Sequence, residues 1–216
     1  MDHAFWLQRW QENKTAFHEG AVNALLSRSF DRLALARGDR VFVPLCGKTV
    51  DLAWLAAQGC RVVGIELSRS AVEAVFADMG VTPEISEIGK LISFRTDGME
   101  VFVGDIFDLS AEVLGPVDAV YDRAALVALP EAMRVSYAAH LAALTGTARQ
   151  LLITFDYDQA HMEGPPFSVG GDEVASLYGR HYRPQVVATM PITGSLAERC
   201  SGTENAWLLE PLGAGD

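Results

Sequence analysis

The sequence predicts an α/β fold built on a doubly wound, mostly parallel sheet, and three observations carry that expectation. Short apolar runs of strand length alternate with segments of helical length along most of the chain, the pattern of a parallel sheet wrapped by helices. The first such run, Arg40-Val41-Phe42-Val43-Pro44-Leu45-Cys46, opens into a turn at Gly47. The second, Val62-Val63-Gly64-Ile65, ends on a carboxylate, Glu66, 19 positions after that glycine. A turn and an acid separated by roughly 20 residues mark the carboxyl edge at which such sheets bind nucleosides.

Taken in order, residues 1–36 read as a helical segment with Trp6, Trp10 and Phe17 on one face. A strand over 41–45 leads to a helix over 49–58, and a strand over 61–66 to a helix over 69–79. Residues 101–104 supply a third strand ending at Gly104-Asp105. A strand over 117–122 precedes a helix over 131–145, and 149–156 is a fifth buried strand. The last pair, 184–190 and 205–210, lacks a clear intervening helix and so contains an antiparallel strand, for a total of seven.

What the turn lacks selects the nucleoside. A dinucleotide needs a triple-glycine turn so that backbone N–H groups can approach a pyrophosphate, and only Gly47 stands here, behind Leu45 and Cys46. Gly47-Lys48-Thr49 imitates the end of a phosphate-binding P-loop, but the first glycine of that motif would fall at Phe42. S-adenosylmethionine, a nucleoside without phosphates, asks only for close backbone approach, an acid for the ribose diol and an apolar slot for adenine. The competing reading is an ordinary strand-turn-helix with a solvated Glu66.

Composition agrees with one domain over 1–216. Half of the 216 residues are hydrophobic, yet no apolar run approaches the ~18 residues of a membrane span. Asp2 and His3 replace the basic start of a secretory signal. A formal net charge of −11 disfavours the phosphate neutralisation on which nucleic-acid binding depends. Cys46, Cys60 and Cys200 form no Cys-x-x-Cys pair, which suits reduced thiols in a cytoplasm. The five histidines lack ligand spacing, so no metal site is expected. The size and acidity point to a monomer.

Five blocks in order, Pro44-Leu45-Cys46-Gly47-Lys48, Gly64-Ile65-Glu66, Ile106-Phe107-Asp108-Leu109, Asp122-Arg123-Ala124-Ala125-Leu126-Val127-Ala128 and Gly164-Pro165-Pro166-Phe167, resemble the thiopurine S-methyltransferase family. The leader Trp10-Gln11-Glu12-Asn13-Lys14-Thr15-Ala16-Phe17-His18 resembles that family's N-terminus, so the likeness covers nearly the whole chain. It implies a Rossmann-like class I methyltransferase fold, with a mostly parallel seven-stranded sheet, helices on both faces, an N-terminal helical cover over 1–36 and a core over 37–216. It also implies a hairpin within 85–96. The implied reaction moves the methyl of S-adenosylmethionine to the sulfur of a small aromatic thiol. Bacterial relatives are associated with selenium and tellurium acceptors as well.

On this layout Leu45, Glu66, Asp105 with Ile106, and Asp122 with Arg123 gather from four strand ends at one crevice. Leu45 and Gly47 give backbone and apolar contact to the cofactor, and Glu66 accepts both ribose hydroxyls. Asp105 and Ile106 flank adenine, unless Asp105 merely caps a turn. Arg123 meets either the methionine carboxylate or an anionic acceptor, against the alternative of a salt bridge. Asp122 orients Arg123, accepts a cofactor hydrogen bond or acts as a base. By family position Trp10 and Phe17 wall the methionine portion and a flat acceptor ring, where a helix packed on the sheet would serve equally on spacing alone. Phe167 walls the acceptor pocket or belongs to a rigid turn. Gly164 stands where amino-group methyltransferases carry Asn or Asp, so their chemistry lacks its acceptor. Two other functions remain open: an oxygen- or nitrogen-directed methyltransferase, and a nucleoside-binding regulatory protein without turnover.

Overall fold

The computed structural model describes residues 3–12 and 20–213. In chain order the elements are α1 (His3–Gln11), α2 (Ala24–Ser29), β1 (Arg40–Val43), α3 (Asp51–Ala57), β2 (Arg61–Glu66), α4 (Arg69–Asp78), β3 (Glu84–Ile88), β4 (Leu91–Thr96), β5 (Met99–Val103), α5 (Ala111–Leu114), β6 (Ala119–Arg123), α6 (Glu131–Leu144), β7 (Arg149–Tyr157), α7 (Gly171–Tyr178), β8 (Tyr182–Pro191), α8 (Gly194–Ala197) and β9 (Gly202–Pro211). They fall into two compact units, one of residues 1–23 and 35–118, the other of 24–34 and 119–216.

In the first unit the strands lie in the order β3-β4-β5-β2-β1. The β1–β2 and β2–β5 pairs are parallel, and the β3–β4 and β4–β5 pairs antiparallel. Val41, Phe42, Val63, Ile65 and Phe102 are buried on the central strands, which therefore read as continuous apolar runs rather than alternating ones. Ser68 caps α4 by accepting from Ala71 N–H at 3.3 Å. Ala71, Val72, Val75 and Phe76 turn inward at helical spacing, and Phe76 stacks on Phe94 with centroids 6.1 Å apart.

In the second unit the order is β6-β7-β9-β8. The β6–β7 pair is parallel; β9 runs antiparallel to both β7 and β8, the antiparallel strand expected of the last pair, with only the four-residue α8 between β8 and β9. The face of α6 carrying Tyr137, Ala138, Leu141 and Ala142 is buried.

Nine strands among the described residues replace the seven expected, and the pairing is mixed rather than mostly parallel. The extra two are the hairpin β3–β4. Glu84 to Glu87 are exposed along β3, so no buried face imposes the alternation by which a strand is recognised. The expected N-terminal helix is also shorter, α1 with α2 and a 3-10 turn at Phe30–Leu33. No helix among the described residues is long and apolar enough to cross a membrane.

Candidate active site

In the first unit the turn after β1 follows that strand's buried apolar run. Leu45 and Gly47 both adopt left-handed backbone, with φ of 45° and 54°. For leucine that conformation costs roughly 1–2 kcal/mol, a strain tolerated where backbone must be presented to a ligand. Cys46 N–H extends the parallel ladder to Ile65 O at 3.0 Å. A side chain at Gly64 would come within 2.9 Å of Cys46 Sγ, so the turn and β2 are packed too closely for anything larger than glycine there.

Glu66 ends β2, 7% exposed. Its Oε2 accepts from Gly47 N–H at 2.9 Å and its Oε1 from Ser68 N–H at 2.8 Å; Leu67 N–H and the Trp10 side chain also donate to it. Burial pushes its carboxyl above the ordinary glutamate range, while these donors pull it back. The spacing of Gly47 and Glu66 in sequence thus becomes a direct hydrogen bond. Gly104 N–H donates to Glu66 O at 2.9 Å, which sets the end of β5 beside it.

Asp105 uses both oxygens. Oδ1 accepts from Phe107 N–H at 3.0 Å and caps the 3-10 turn Ile106–Asp108; Oδ2 lies 2.7 Å from His3 Nε2. Turn capping and a position beside Glu66 are therefore compatible. Ile106 is buried at the start of that turn. Helix α1 reaches both acids, His3 at Asp105 and Trp10 at Glu66. Their separation of seven residues is two turns, about 10 Å along a helix. Trp10 meets the acid of the expected ribose site through a hydrogen bond, where an apolar wall was expected. His3 and Ser68 were missed by the sequence reading. Ser68 had a usable signal, a serine just before a helical apolar pattern; His3 had none.

In the second unit Asp122 and Arg123 end β6. Asp122 is fully buried and accepts from Tyr137 O–H at 2.7 Å, Leu126 N–H at 3.1 Å and Ala125 N–H. Burial raises its carboxyl to about 6 against the pull of these donors. Arg123 is half-buried and is followed by Ala124 at φ 60°, a break that ends the strand. Phe167 is fixed from several sides: its N–H donates to Val127 O at 2.7 Å, Tyr157 O–H donates to Pro166 O at 2.6 Å, and the Arg134 guanidinium lies 5.7 Å from its ring centre. A side chain at Gly164 would strike that ring at 2.5 Å. Arg134, not anticipated from sequence, grips Glu173 through Nε at 2.5 Å and Nη2 at 3.2 Å, and gives Nη1 to Leu129 O at 3.0 Å. Phe17 lies outside the described residues.

The residues around Glu66 suit S-adenosylmethionine: a buried carboxylate at a strand end, strained backbone in the facing turn, and a glycine contact that permits close approach. The sequence matches the family described as Thiopurine S-methyltransferase (TPMT) over residues 1–205. It is 54% identical to the thiopurine S-methyltransferase of Xanthobacter autotrophicus over 97% of this chain and 99% of that protein. With that of Gluconobacter oxydans it shares 46% over 96% of this chain and 94% of the other. Among solved structures, the Burkholderia thailandensis 1,6-didemethyltoxoflavin-N1-methyltransferase with bound S-adenosylhomocysteine has a TM-score of 0.65 at 16% identity, over 96% of this chain and 87% of that one. The magnesium protoporphyrin IX methyltransferase of Synechocystis PCC 6803 with bound SAM also gives 0.65, at 14% identity over 97% of both chains. These distant likenesses establish the class I methyltransferase fold, and the sequence matches over nearly the full length establish that the chain belongs to the thiopurine S-methyltransferase family.

Proposed function

We infer that this chain is an S-adenosylmethionine-dependent thiopurine S-methyltransferase, acting on the sulfur of small aromatic and heteroaromatic thiols. Within the structure the observation that carries the reading is Glu66, a buried carboxylate tied to the turn after β1 by Gly47 N–H. Glu66 receives the ribose diol, Leu45 and Gly47 line the cofactor with backbone, and Asp105 with Ile106 borders the adenine. Trp10 and His3 hold α1 over these two acids. When bound, S-adenosylmethionine supplies an electrophilic methyl group on a sulfonium sulfur.

The protein's task is then alignment and exclusion of water. With S-adenosylmethionine held by the residues around Glu66, the acceptor sulfur would take the methyl group and the bonding electron pair would remain on the former sulfonium sulfur. Aromatic thiols ionise readily enough to supply thiolate near neutral pH, so no general base is required. Holding two reactants in line can contribute up to ~7–11 kcal/mol. Arg123 offers a permanent charge to the methionine carboxylate or an anionic acceptor. Asp122, fully buried and bonded to Tyr137 and the following backbone, fixes the end of β6; we assign it positioning rather than proton transfer. Phe167 serves as a rigid wall for a flat ring. The same base-free chemistry suits selenium and tellurium nucleophiles. The three cysteines are free and buried, in keeping with a reducing cytoplasm, and we take the working unit to be a monomer.

The test is release of S-adenosylhomocysteine from S-adenosylmethionine with 6-mercaptopurine, beside the matched hydroxypurine and a control without acceptor. Thiol-dependent release with little from the hydroxypurine is expected. Cofactor binding with no thiol-dependent release would refute the assignment and favour a regulatory protein.

A further inference from the structure

A closed circuit of hydrogen bonds ties the start of the segment between β7 and α7 to its end. Tyr157, the last residue of β7, is buried beside Met162, Ile192 and Cys200, so its hydroxyl is held in one place. Tyr157 O–H donates to Pro166 O at 2.6 Å, and Tyr157 N–H to Ser168 Oγ at 3.0 Å. Ser168 N–H donates to Gln159 Oε1 at 2.8 Å, and Gln159 Nε2 donates to Tyr157 Oη at 3.2 Å and to Met162 O. Each role is forced. A backbone N–H only donates and a carbonyl only accepts, so Ser168 and Met162 set the orientation of the Gln159 amide. The Tyr157 hydroxyl has committed its single hydrogen to Pro166 and therefore accepts from Gln159.

Phe167 lies between Pro166 and Ser168, the two residues that this circuit holds. Its own N–H donates to Val127 O at 2.7 Å, in the block that follows Arg123, and β6 and β7 run parallel, so the ring belongs to the carboxyl edge of the second unit. Val169 N–H donates to Phe155 O at 2.7 Å and fixes the exit from the segment. Phe167 is half-buried, which leaves ring surface for contact. Gln159 is exposed, so its replacement leaves the core intact, yet it joins three parts of the segment through one amide.

We propose that Gln159 is a positioning residue which, through Tyr157 and Ser168, fixes Phe167 as a flat wall and so favours aromatic over aliphatic thiols as acceptors. This role depends on Phe167 walling the acceptor pocket. A ring ordered before the acceptor arrives loses less conformational freedom on binding, and it offers a planar acceptor a stacking contact that a non-planar one cannot match. The Gln159 amide lies apart from the reacting groups, so it acts on acceptor binding and not on the methyl transfer itself.

Steady-state kinetics with thiophenol at saturating S-adenosylmethionine test this, with cyclohexanethiol, a ring of similar size that is not flat, as competitor. Gln159→Ala should raise KM for thiophenol about fivefold, the scale of one neutral hydrogen bond, and leave kcat and the competition by cyclohexanethiol unchanged. Phe167→Leu should also raise KM for thiophenol. Adding Gln159→Ala to Phe167→Leu should raise it no further, because the two act on one contact. Equal weakening of both thiols, a fall in kcat, or additive effects of the two substitutions would overturn the proposal, as would a silent Gln159→Ala beside an effective Phe167→Leu. A silent Phe167→Leu would remove the acceptor wall and the proposal with it. If the parent protein turned over neither thiophenol nor 6-mercaptopurine, the functional reading itself would fall, and the proposal with it.

Discussion

Burial raises the Glu66 carboxyl, and the hydrogen bonds from Ser68, Gly47, Leu67 and Trp10 oppose that rise; in the proposed site they favour the carboxylate that a ribose diol would meet. Glu66→Gln retains shape and one acceptor but loses the charge, and should weaken S-adenosylhomocysteine binding by roughly 1–3 kcal/mol; unchanged affinity in a calorimetric titration would remove Glu66 from the ribose site. In the parent protein affinity should fall on acidification. Because the Glu66 carboxyl is raised, that fall begins at a pH above the ordinary carboxylate range. Asp122 gives a stability prediction of its own. Its folded value of about 6 exceeds the ordinary aspartate value of about 4, so between these values the folded state holds more protons than the unfolded one. Stability from this group is therefore full below about pH 4 and declines through about pH 6, by about 3 kcal/mol in total. Asp122→Asn lacks that decline, so its stability deficit relative to the parent should shrink from pH 4 to pH 7 in denaturant titrations. A deficit constant with pH would place the Asp122 carboxyl in a different environment.

At the scale of elements, the segment Gly164-Pro165-Pro166-Phe167 is held by its neighbours more than by its own conformation. Arg134 lies across Phe167 while gripping Glu173 in a two-point pair. Lysine retains the charge but cannot reproduce the fork, so Arg134→Lys should raise KM for the acceptor thiol severalfold and leave cofactor affinity unchanged. A parallel loss of cofactor affinity would show that Arg134 acts through the fold as a whole. Nothing in the sequence pointed to Arg134, because on α6 it occupies the same buried stripe as Tyr137 and Ala138 and its partner lies 39 residues away. The central strands were legible to within a few residues because they are buried on both faces and carry unbroken apolar runs. Glu66 was legible because strand, turn and acid recur at a fixed separation. The hairpin β3–β4 was visible only through family likeness, since its outer strand is exposed on both faces and places Ile85 and Ile88 on opposite sides rather than in alternation. Helix α7 was missed although Val174, Leu177 and Tyr178 stand at i, i+3 and i+4, a usable helical signal in a segment only two turns long. His3 depends on where α1 lies in space, which local pattern does not encode.

For the molecule as a whole, the proposed cofactor site, built from backbone of the β1 turn, the end of β2 and the start of α4, would link ligand affinity to global stability. Anything that binds only the folded chain stabilises it by mass action, about 2.7 kcal/mol at a hundredfold excess over Kd. For a chain of 216 residues, each kcal/mol moves the melting midpoint by roughly 2–4 °C. S-adenosylhomocysteine at that excess should therefore raise Tm by about 5–10 °C. Glu66→Gln at the same absolute concentration should show a smaller rise, because the excess over its own Kd is smaller. Raising the concentration in proportion to the weakened Kd should restore the full shift. If the shift stayed small after that correction, the substitution would have altered the folded state itself, and the affinity loss could no longer be read as the worth of the ribose contact. Full restoration would separate what Glu66 does for the ligand from what it does for the turn that surrounds it.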